Sequence, residues 1–229
     1  MNVDRKGPTP RDAMQETGGA NNHFDAAAAT WDDNPTRVEL AKAVAGAMVA
    51  AVPLTPQMAV MDFGCGTGLI TRELAPKVAS VTAADTSVQM LAVLEAKAKA
   101  SGLNHVRTLL LDDGYLQPSG LSFDAIVSSM VFHHIEDIPA LLTRFAQWIQ
   151  PGGWIAVADL EPEDGTFHKD SAHEVHHGID PAWFRAEAEA VGFSVKSART
   201  IHTIRRQPEG ADWPREYPVF LLAARRMTF

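Results

Sequence analysis

Val60-Met61-Asp62-Phe63-Gly64-Cys65-Gly66-Thr67-Gly68-Leu69-Ile70 is the stretch on which the reading of this chain turns. An apolar run that reads as a buried strand passes into a turn with glycine at alternate positions, and then into the first turn of a helix. Glycine tolerates positive φ and lets another molecule approach the backbone. Three alternating glycines between a strand and a helix start therefore predict a ligand lying across the loop. A plain turn seldom needs three.

Outward from this loop the chain alternates strand and helix. A helix is predicted from Thr36 to about Val52, with Val38, Ala41, Val44, Ala45, Met48 and Val52 on one face. Met58–Phe63 is the first strand and Leu69–Ala75 the following helix, stopped near Pro76. Val78–Ala84 and Val106–Leu111 flank a strong helix over Ser87–Ser101. Phe123–Ser128, a helix over Ile138–Ile149, a Pro151-Gly152-Gly153 turn and a strand over Trp154–Ala158 come next. Asp180-Pro181 opens another helix as N-cap and first helical residue. Phe193–Ile204 and Tyr217–Ala224 close the chain as antiparallel neighbours. Strands separated by long helices give a doubly wound, mostly parallel α/β sheet, with ligands at the carboxyl ends of the strands. Acidic residues fall at those ends: Asp85 after the second strand, Asp112 and Asp113 after the third.

Composition narrows the possible partners. The chain has 229 residues, 46% hydrophobic and 21% charged, and a net charge of −8 with neutral histidines. That balance opposes nonspecific attraction to nucleic-acid phosphates. The short basic pairs Arg205-Arg206 and Arg225-Arg226 read as solvated strand ends. The single cysteine, Cys65, makes no internal disulfide and suits a reducing cytoplasm. No stretch approaches the ~18 uninterrupted apolar residues of a membrane span, and Met1–Lys6 lacks the apolar core of a signal peptide. A cytoplasmic protein with no membrane partner is the expectation, as monomer or homodimer. Residues 1–22, rich in Gly, Pro and Asn, read as a mobile arm, and 23–57 as a lid and helix carrying Phe24 and Trp31.

Two cofactors compete for the glycine loop. A nicotinamide fingerprint, G-x-G-x-x-G, needs a glycine where this chain has Leu69. Asp62–Gly68 instead resembles motif I of the class I S-adenosylmethionine-dependent methyltransferases. Asp85-Thr86-Ser87-Val88-Gln89-Met90-Leu91 resembles that family's D-x-S-x-x-M-L after strand two. Phe123–Ser129 with His133-His134-Ile135 resembles its strand-four signature, and Pro151-Gly152-Gly153 its turn before strand five. Within the family the chain looks closest to the small-molecule, ubiquinone-biosynthesis-like (type 11/25) branch.

The resemblance implies a Rossmann-like seven-stranded sheet with an antiparallel C-terminal hairpin strand. It makes residues 58–229 an S-adenosylmethionine-binding domain with a histidine-rich insertion near 161–178. Gly64, Cys65, Gly66 and Gly68 would carry the methionine part of the cofactor, and Asp62 would meet its amino group. Asp85 and Thr86 would take the ribose, although Asp85 also suits the N-cap of the next helix. Met90 would touch the adenine edge or lie in the core. Asp112, with Asp113 as its alternative, would accept from the adenine amino group. Ser129 and Met130 would line the methyl-donor side, and Trp31 would also border the cofactor.

Methyl transfer needs alignment more than chemistry from the protein. A base is required only where the acceptor must lose a proton, and His133 or His134 could serve. Both also suit a purely packing role. His173 and His177 would share one face of a helix and, with His168 or Glu174, could hold zinc. A substrate loop is the cheaper explanation, and no metal is expected. Phe24, Trp31, Phe132, Trp183 and the histidine loop are candidate walls for a small-molecule acceptor. Two rivals stand beside the methyltransferase: a regulatory S-adenosylmethionine-binding protein without catalysis, and a nicotinamide-dependent oxidoreductase, which the lack of a Tyr-x-x-x-Lys pair opposes.

Overall fold

The structure is a computed structural model that describes residues 19–112, 120–168, 175–207 and 212–228, the side chains of 19–22 excepted. The chain enters through α1 (Gly19–Ala27) and a 3-10 turn (Ala28–Asp33), so the helix begins inside the segment expected to be an arm. Asn34 then accepts the Thr36 N–H at 3.0 Å and Pro35 opens α2 (Pro35–Ala51), a cap and first turn that fix the helix start. The remaining elements are β1 (Ala59–Phe63), α3 (Leu69–Leu74), β2 (Ser80–Asp85), α4 (Val88–Ala100), β3 (Val106–Leu110), β4 (Phe123–Ser129), α5 (Ile138–Trp148), β5 (Ile149–Leu160), α6 (Pro181–Ala190), β6 (Phe193–Arg206) and β7 (Arg215–Arg226).

The seven strands lie in the order β3-β2-β1-β4-β5-β7-β6. β7 runs antiparallel to both of its neighbours, and every other pairing is parallel. Successive strands march outward from β1 in one direction and then, from β4, in the other. That reversal opens a crevice at the carboxyl ends of β1 and β4, where the glycine loop sits. Side chains alternate across the sheet. Val60, Val127, Ala156 and Leu221 pack with Val44 and Met48 of α2 and Leu74 of α3. Met61, Ile126, Val157 and Phe220 pack with Leu142 and Phe145 of α5 and Phe184 of α6. Because both faces are covered, the central strands read as continuous apolar runs. Among the described residues no helix is long and apolar enough to cross a membrane.

Two local expectations are corrected. Pro151-Gly152-Gly153 is no separate turn but an irregular stretch inside β5, whose pairing with β4 shifts register between Phe123 and Ala125. A Cβ at Gly153 would stand 2.6 Å from Ile149 Cγ2 and 2.7 Å from the Asp124 carbonyl, so only glycine fits. α3 ends at Leu74, close to Pro76 as expected, and Pro76 sits in the 3-10 turn that follows, Ala75–Lys77. The late arginines are more than solvated strand ends. Arg225 Nε donates to the Gly152 carbonyl at 2.9 Å and Arg226 to the Ile149 carbonyl, tying β7 to the irregular start of β5.

The last glycine of the loop serves packing. Gly68, at φ 84°, caps α3, and a Cβ there would lie 2.7 Å from Leu94 Cγ of α4. The close approach of helix and helix rests on that missing side chain. Gly68→Ala is expected to cost about 2–5 kcal/mol, backbone strain and overpacking together. Urea unfolding of Gly68→Ala, Leu94→Ala and the double variant should give a double variant at least ~1 kcal/mol more stable than the sum of the singles. Simple additivity would show that the two residues do not collide.

Candidate active site

The loop after β1 takes its shape from the end of β2. The N–H groups of Gly64 and Cys65 both donate to the Ala84 carbonyl, at 2.8 and 3.0 Å, and the Asp85 carboxylate reaches across to the Gly66 N–H at 2.7 Å. The other Asp85 oxygen accepts the Ser87 N–H at 2.9 Å. Ser87, not Asp85, is the N-cap of α4: its hydroxyl accepts the Met90 N–H at 3.1 Å. Asp85 is therefore held by backbone donors on both of its oxygens, and a carboxylate oxygen can accept more than one hydrogen bond. Burial raises its pKa, partly offset by the N–H groups of Ser87, Gly66 and Thr86.

The three glycines differ in purpose. A Cβ on Gly64, at φ 72°, would lie 2.2 Å from Val131 Cγ2, so this glycine admits the segment after β4. Gly66, at φ 52°, would meet nothing within 4 Å, and it alone presents an open main-chain face. Cys65 turns inward: its side chain packs with Leu91, Leu94 and Ala98 of α4, and burial pushes its thiol pKa well up. Its N–H is taken by Ala84 and its carbonyl by the Gly68 N–H at 2.9 Å.

Asp62, in β1 beneath the loop, is 1% exposed. Thr71 of α3 donates its hydroxyl to Asp62 at 2.5 Å. Burial pushes the Asp62 pKa up to about 7 against the opposing Thr71 hydrogen bond, and the nearby Asp85 charge pushes it further. Two carboxylates thus crowd one loop with the ionised forms disfavoured, an arrangement that a cation relieves.

Beyond β4 the chain turns sharply. Met130 adopts φ 59°, left-handed and costly for a side chain of this size, and a 3-10 turn over Phe132–His134 follows. Asp159, in β5, organises this turn. Its carboxylate accepts the N–H groups of Val131 (3.1 Å), Phe132 (2.8 Å) and Leu160 (2.8 Å) and contacts His133 Nδ1 at 2.5 Å. Burial alone would raise the Asp159 pKa, but the His133 charge and hydrogen bond and the Leu160 N–H outweigh it and hold the carboxyl below its ordinary value. His133 and Asp159 are 1% and 0% exposed. His133 Nε2 meets His168 Nε2 at 3.2 Å, and the His134 ring lies 4.0 Å from that of His133. Burial and the charges of His133 and His134 drop the His168 pKa to about 3, so this imidazole is neutral at physiological pH. The loop carrying His168 returns to the same turn, where Val175 and His176 donate their N–H groups to the His133 carbonyl at 3.2 and 3.0 Å.

The N-terminal segment contacts both halves. Asp32 accepts the Thr67 hydroxyl of the glycine loop and pairs with Lys97 of α4, each at 2.5 Å. Asp25 accepts the Ser87 hydroxyl at 2.5 Å and the Gln89 N–H at 3.1 Å. Phe24 stands edge-on to His134 at 5.8 Å and touches Trp31 at 5.9 Å. The Trp31 ring is stacked under Arg37, whose guanidinium carbon lies 3.7 Å from the ring centre.

Of the residues singled out in the sequence, Asp62, Gly64, Gly66, Asp85, Thr86 and Ser129 therefore gather at the carboxyl end of the sheet, with His133 and His134 beside them. Met90 is 1% exposed inside α4. Asp112 is exposed just past β3, and Asp113 and His173 lie outside the described residues. Phe132 is not a pocket wall: it is 0% exposed and packs edge-on against Phe145 and Phe184. Trp183, 40% exposed on α6, lies on the surface. Asp25, Asp32, Thr71 and Asp159 were not foreseen. Asp159 had a signal, because the rule that picked out Asp85, an acidic residue at the end of a parallel strand, fits it equally. Asp25 and Asp32 had none, since only the folded lid brings them to the loop.

Residues 60–153 match the family model described as a methyltransferase domain. An uncharacterized methyltransferase of Schizosaccharomyces pombe is 35% identical over 118 residues, 48% of this chain and 42% of that protein. A ubiquinone biosynthesis O-methyltransferase of Rhizobium johnstonii is 35% identical over 101 residues, 44% of this chain and 40% of that protein. The chain thus spans about two fifths of the length of these curated relatives. Among solved structures, DhpI in complex with S-adenosylhomocysteine superposes with a TM-score of 0.68 at 21% identity, covering 92% of this chain and 96% of that one, a likeness of fold.

The Asp62 environment sets a testable pH dependence. Its carboxyl titrates near 7 when folded, against an ordinary value of 3.8, so its protonated form favours folding and that stability is lost as pH rises from about 4 through 7. Asp62→Asn keeps an acceptor for Thr71 and removes the buried charge. The variant should be more stable than the parent at pH 8, and the gap should shrink by roughly 2 kcal/mol at pH 5. Urea midpoints at the two pH values check this; a gap independent of pH would refute it.

Proposed function

Taking the chain as a class I S-adenosylmethionine-dependent methyltransferase, we propose that it transfers the cofactor's methyl group to a small-molecule acceptor by in-line displacement. The observation that carries this reading is the pair of buried carboxylates, Asp62 and Asp85, flanking a loop whose Gly66 main chain is open. S-adenosylmethionine brings a sulfonium and an ammonium to that loop, and the carboxylates favour both. A pyrophosphate would meet repulsion there, which argues against the nicotinamide alternative.

Within this reading Asp85 accepts the ribose hydroxyls with the capacity left on its two oxygens, beside Thr86. Asp62 faces the amino group, and Gly64 and Gly66 line the methionine part. Gly68 and Cys65 act from behind, through helix packing. Asp112, or Asp113 next to it, serves the adenine edge near Met90, and Ser129 with Met130 borders the methyl-donor side. The lid residues Phe24 and Trp31 cover the pocket, with His134 and His168 on the acceptor side.

The acceptor's lone pair attacks the methyl carbon as the carbon–sulfur bond breaks, its electron pair staying on sulfur to give a neutral thioether. Orientation supplies most of the rate gain. A hydroxyl acceptor must also lose its proton, and the histidine cluster behind Asp159 is where it does so. The net charge of −8 favours a small molecule over nucleic acid. The O-methyltransferase relative makes oxygen acceptors the first to test.

Calorimetry with S-adenosylmethionine and with NADH, followed by transfer of labelled methyl groups to a panel of hydroxylated small molecules, tests the proposal. The cofactor should bind, Asp85→Ala should weaken it at least ~10-fold through loss of charge-assisted hydrogen bonds, and label should reach an acceptor. Binding of NADH alone would overturn the reading. Tight cofactor binding without transfer to any acceptor would mark a regulatory binder.

A further inference from the structure

We propose that His133, His134 and His168 form a site for a divalent cation of the zinc or ferrous-iron kind, at the acceptor end of the pocket. The proposal rests on the reading above only in its placing of the acceptor. One ring nitrogen from each of the three residues lies within 4.8 Å of the others. They come from two segments, the turn after β4 and the loop after β5. The 3.2 Å between His133 Nε2 and His168 Nε2 is close to the ~3.3 Å edge of a tetrahedron built on zinc–nitrogen bonds of ~2.0–2.1 Å. The His134 ring nitrogen lies within 4.8 Å of both.

Asp159 supplies the support that such a site needs. Its carboxylate, itself fixed by three backbone N–H groups, takes the Nδ1–H of His133 and so turns the Nε2 lone pair toward His168. A carboxylate behind a ligating imidazole fixes its tautomer and raises its basicity. The Val175 and His176 N–H groups on the His133 carbonyl tether the His168 loop to the turn. His133 is 1% exposed while His134 and His168 are half-buried, so the cluster is closed on the protein side and accessible on the other. Three protein ligands with one side open is the pattern of a reactive metal rather than a structural one. An all-imidazole set suits zinc or ferrous iron better than magnesium or calcium.

A metal here would act as a Lewis acid. An acceptor hydroxyl bound to it loses its proton to water, the oxygen–hydrogen bond breaking as the metal–oxygen bond forms, and the oxygen then attacks the methyl group. No electron changes hands. A hydrogen bond between His133 and His168 alone would account for the 3.2 Å contact, but it would give the cluster no affinity for a metal.

Untagged protein stripped with a chelator should bind about one equivalent of Zn2+, measured by competition with a chromophoric chelator. Co2+ should give the intense visible bands of a four-coordinate site. His168→Ala and His134→Ala should weaken Zn2+ at least 10-fold, and Asp159→Asn by 10- to 100-fold, while His202→Ala, on β6 away from the cluster, should leave it unchanged. Circular dichroism and S-adenosylhomocysteine binding report whether each variant is folded. A weak octahedral Co2+ spectrum, or Zn2+ binding that survives His168→Ala in folded protein, overturns the metal site. Methyl transfer at full rate by the stripped protein overturns it too, while leaving the methyltransferase reading intact.

Discussion

The carboxylate of Asp85 is the constraint on which the site depends. It stands where β2 ends and accepts one N–H from the glycine loop and one from the start of α4. The Ala84 carbonyl beside it takes two more N–H groups of the loop. The loop after β1 is thus shaped by its neighbouring strand, and three glycines are tolerated because the surrounding hydrogen bonds offset the freedom they carry. Removing that anchor would release the loop and the start of α4 together.

A second carboxylate repeats the design on the other side of the switch point. Asp159 closes β5 and holds the turn after β4 through three backbone N–H groups and His133. Both acidic residues sit at carboxyl ends of parallel strands and bind backbone donors of an adjacent connection. Their electrostatics differ. Burial dominates at Asp85 and raises its pKa, whereas the partner imidazole prevails at Asp159 and lowers it. The carboxyl end of the sheet therefore carries a carboxylate-rich side and a histidine-rich side.

The N-terminal segment joins the two. Asp25 and Asp32 reach the serine and threonine hydroxyls of the first half, while Phe24 rests on His134 of the second. The two hydroxyl contacts are polar and part-buried, unlike the apolar packing of α2 and α5.

The sequence by itself determined the sheet, the element order and the cofactor loop. Apolar periodicity, Pro35 and Pro181 at helix starts, and the glycine spacing before Leu69 are local signals, each written within a few neighbouring residues. It also brought Asp62 and Asp85 to the right end of the strands. What it left undecided, the tertiary structure settled: that Gly68 serves Leu94, that Phe132 belongs to the core, and that Cys65 faces α4. The grouping of His133 and His134 with His168, and the aspartate behind them, likewise belongs to the fold. The physical reason is distance along the chain. A strand or cap is decided by residues a few places apart, whereas a side chain's partner across the crevice is decided by how β4, β5 and the lid pack, which no short window of sequence contains.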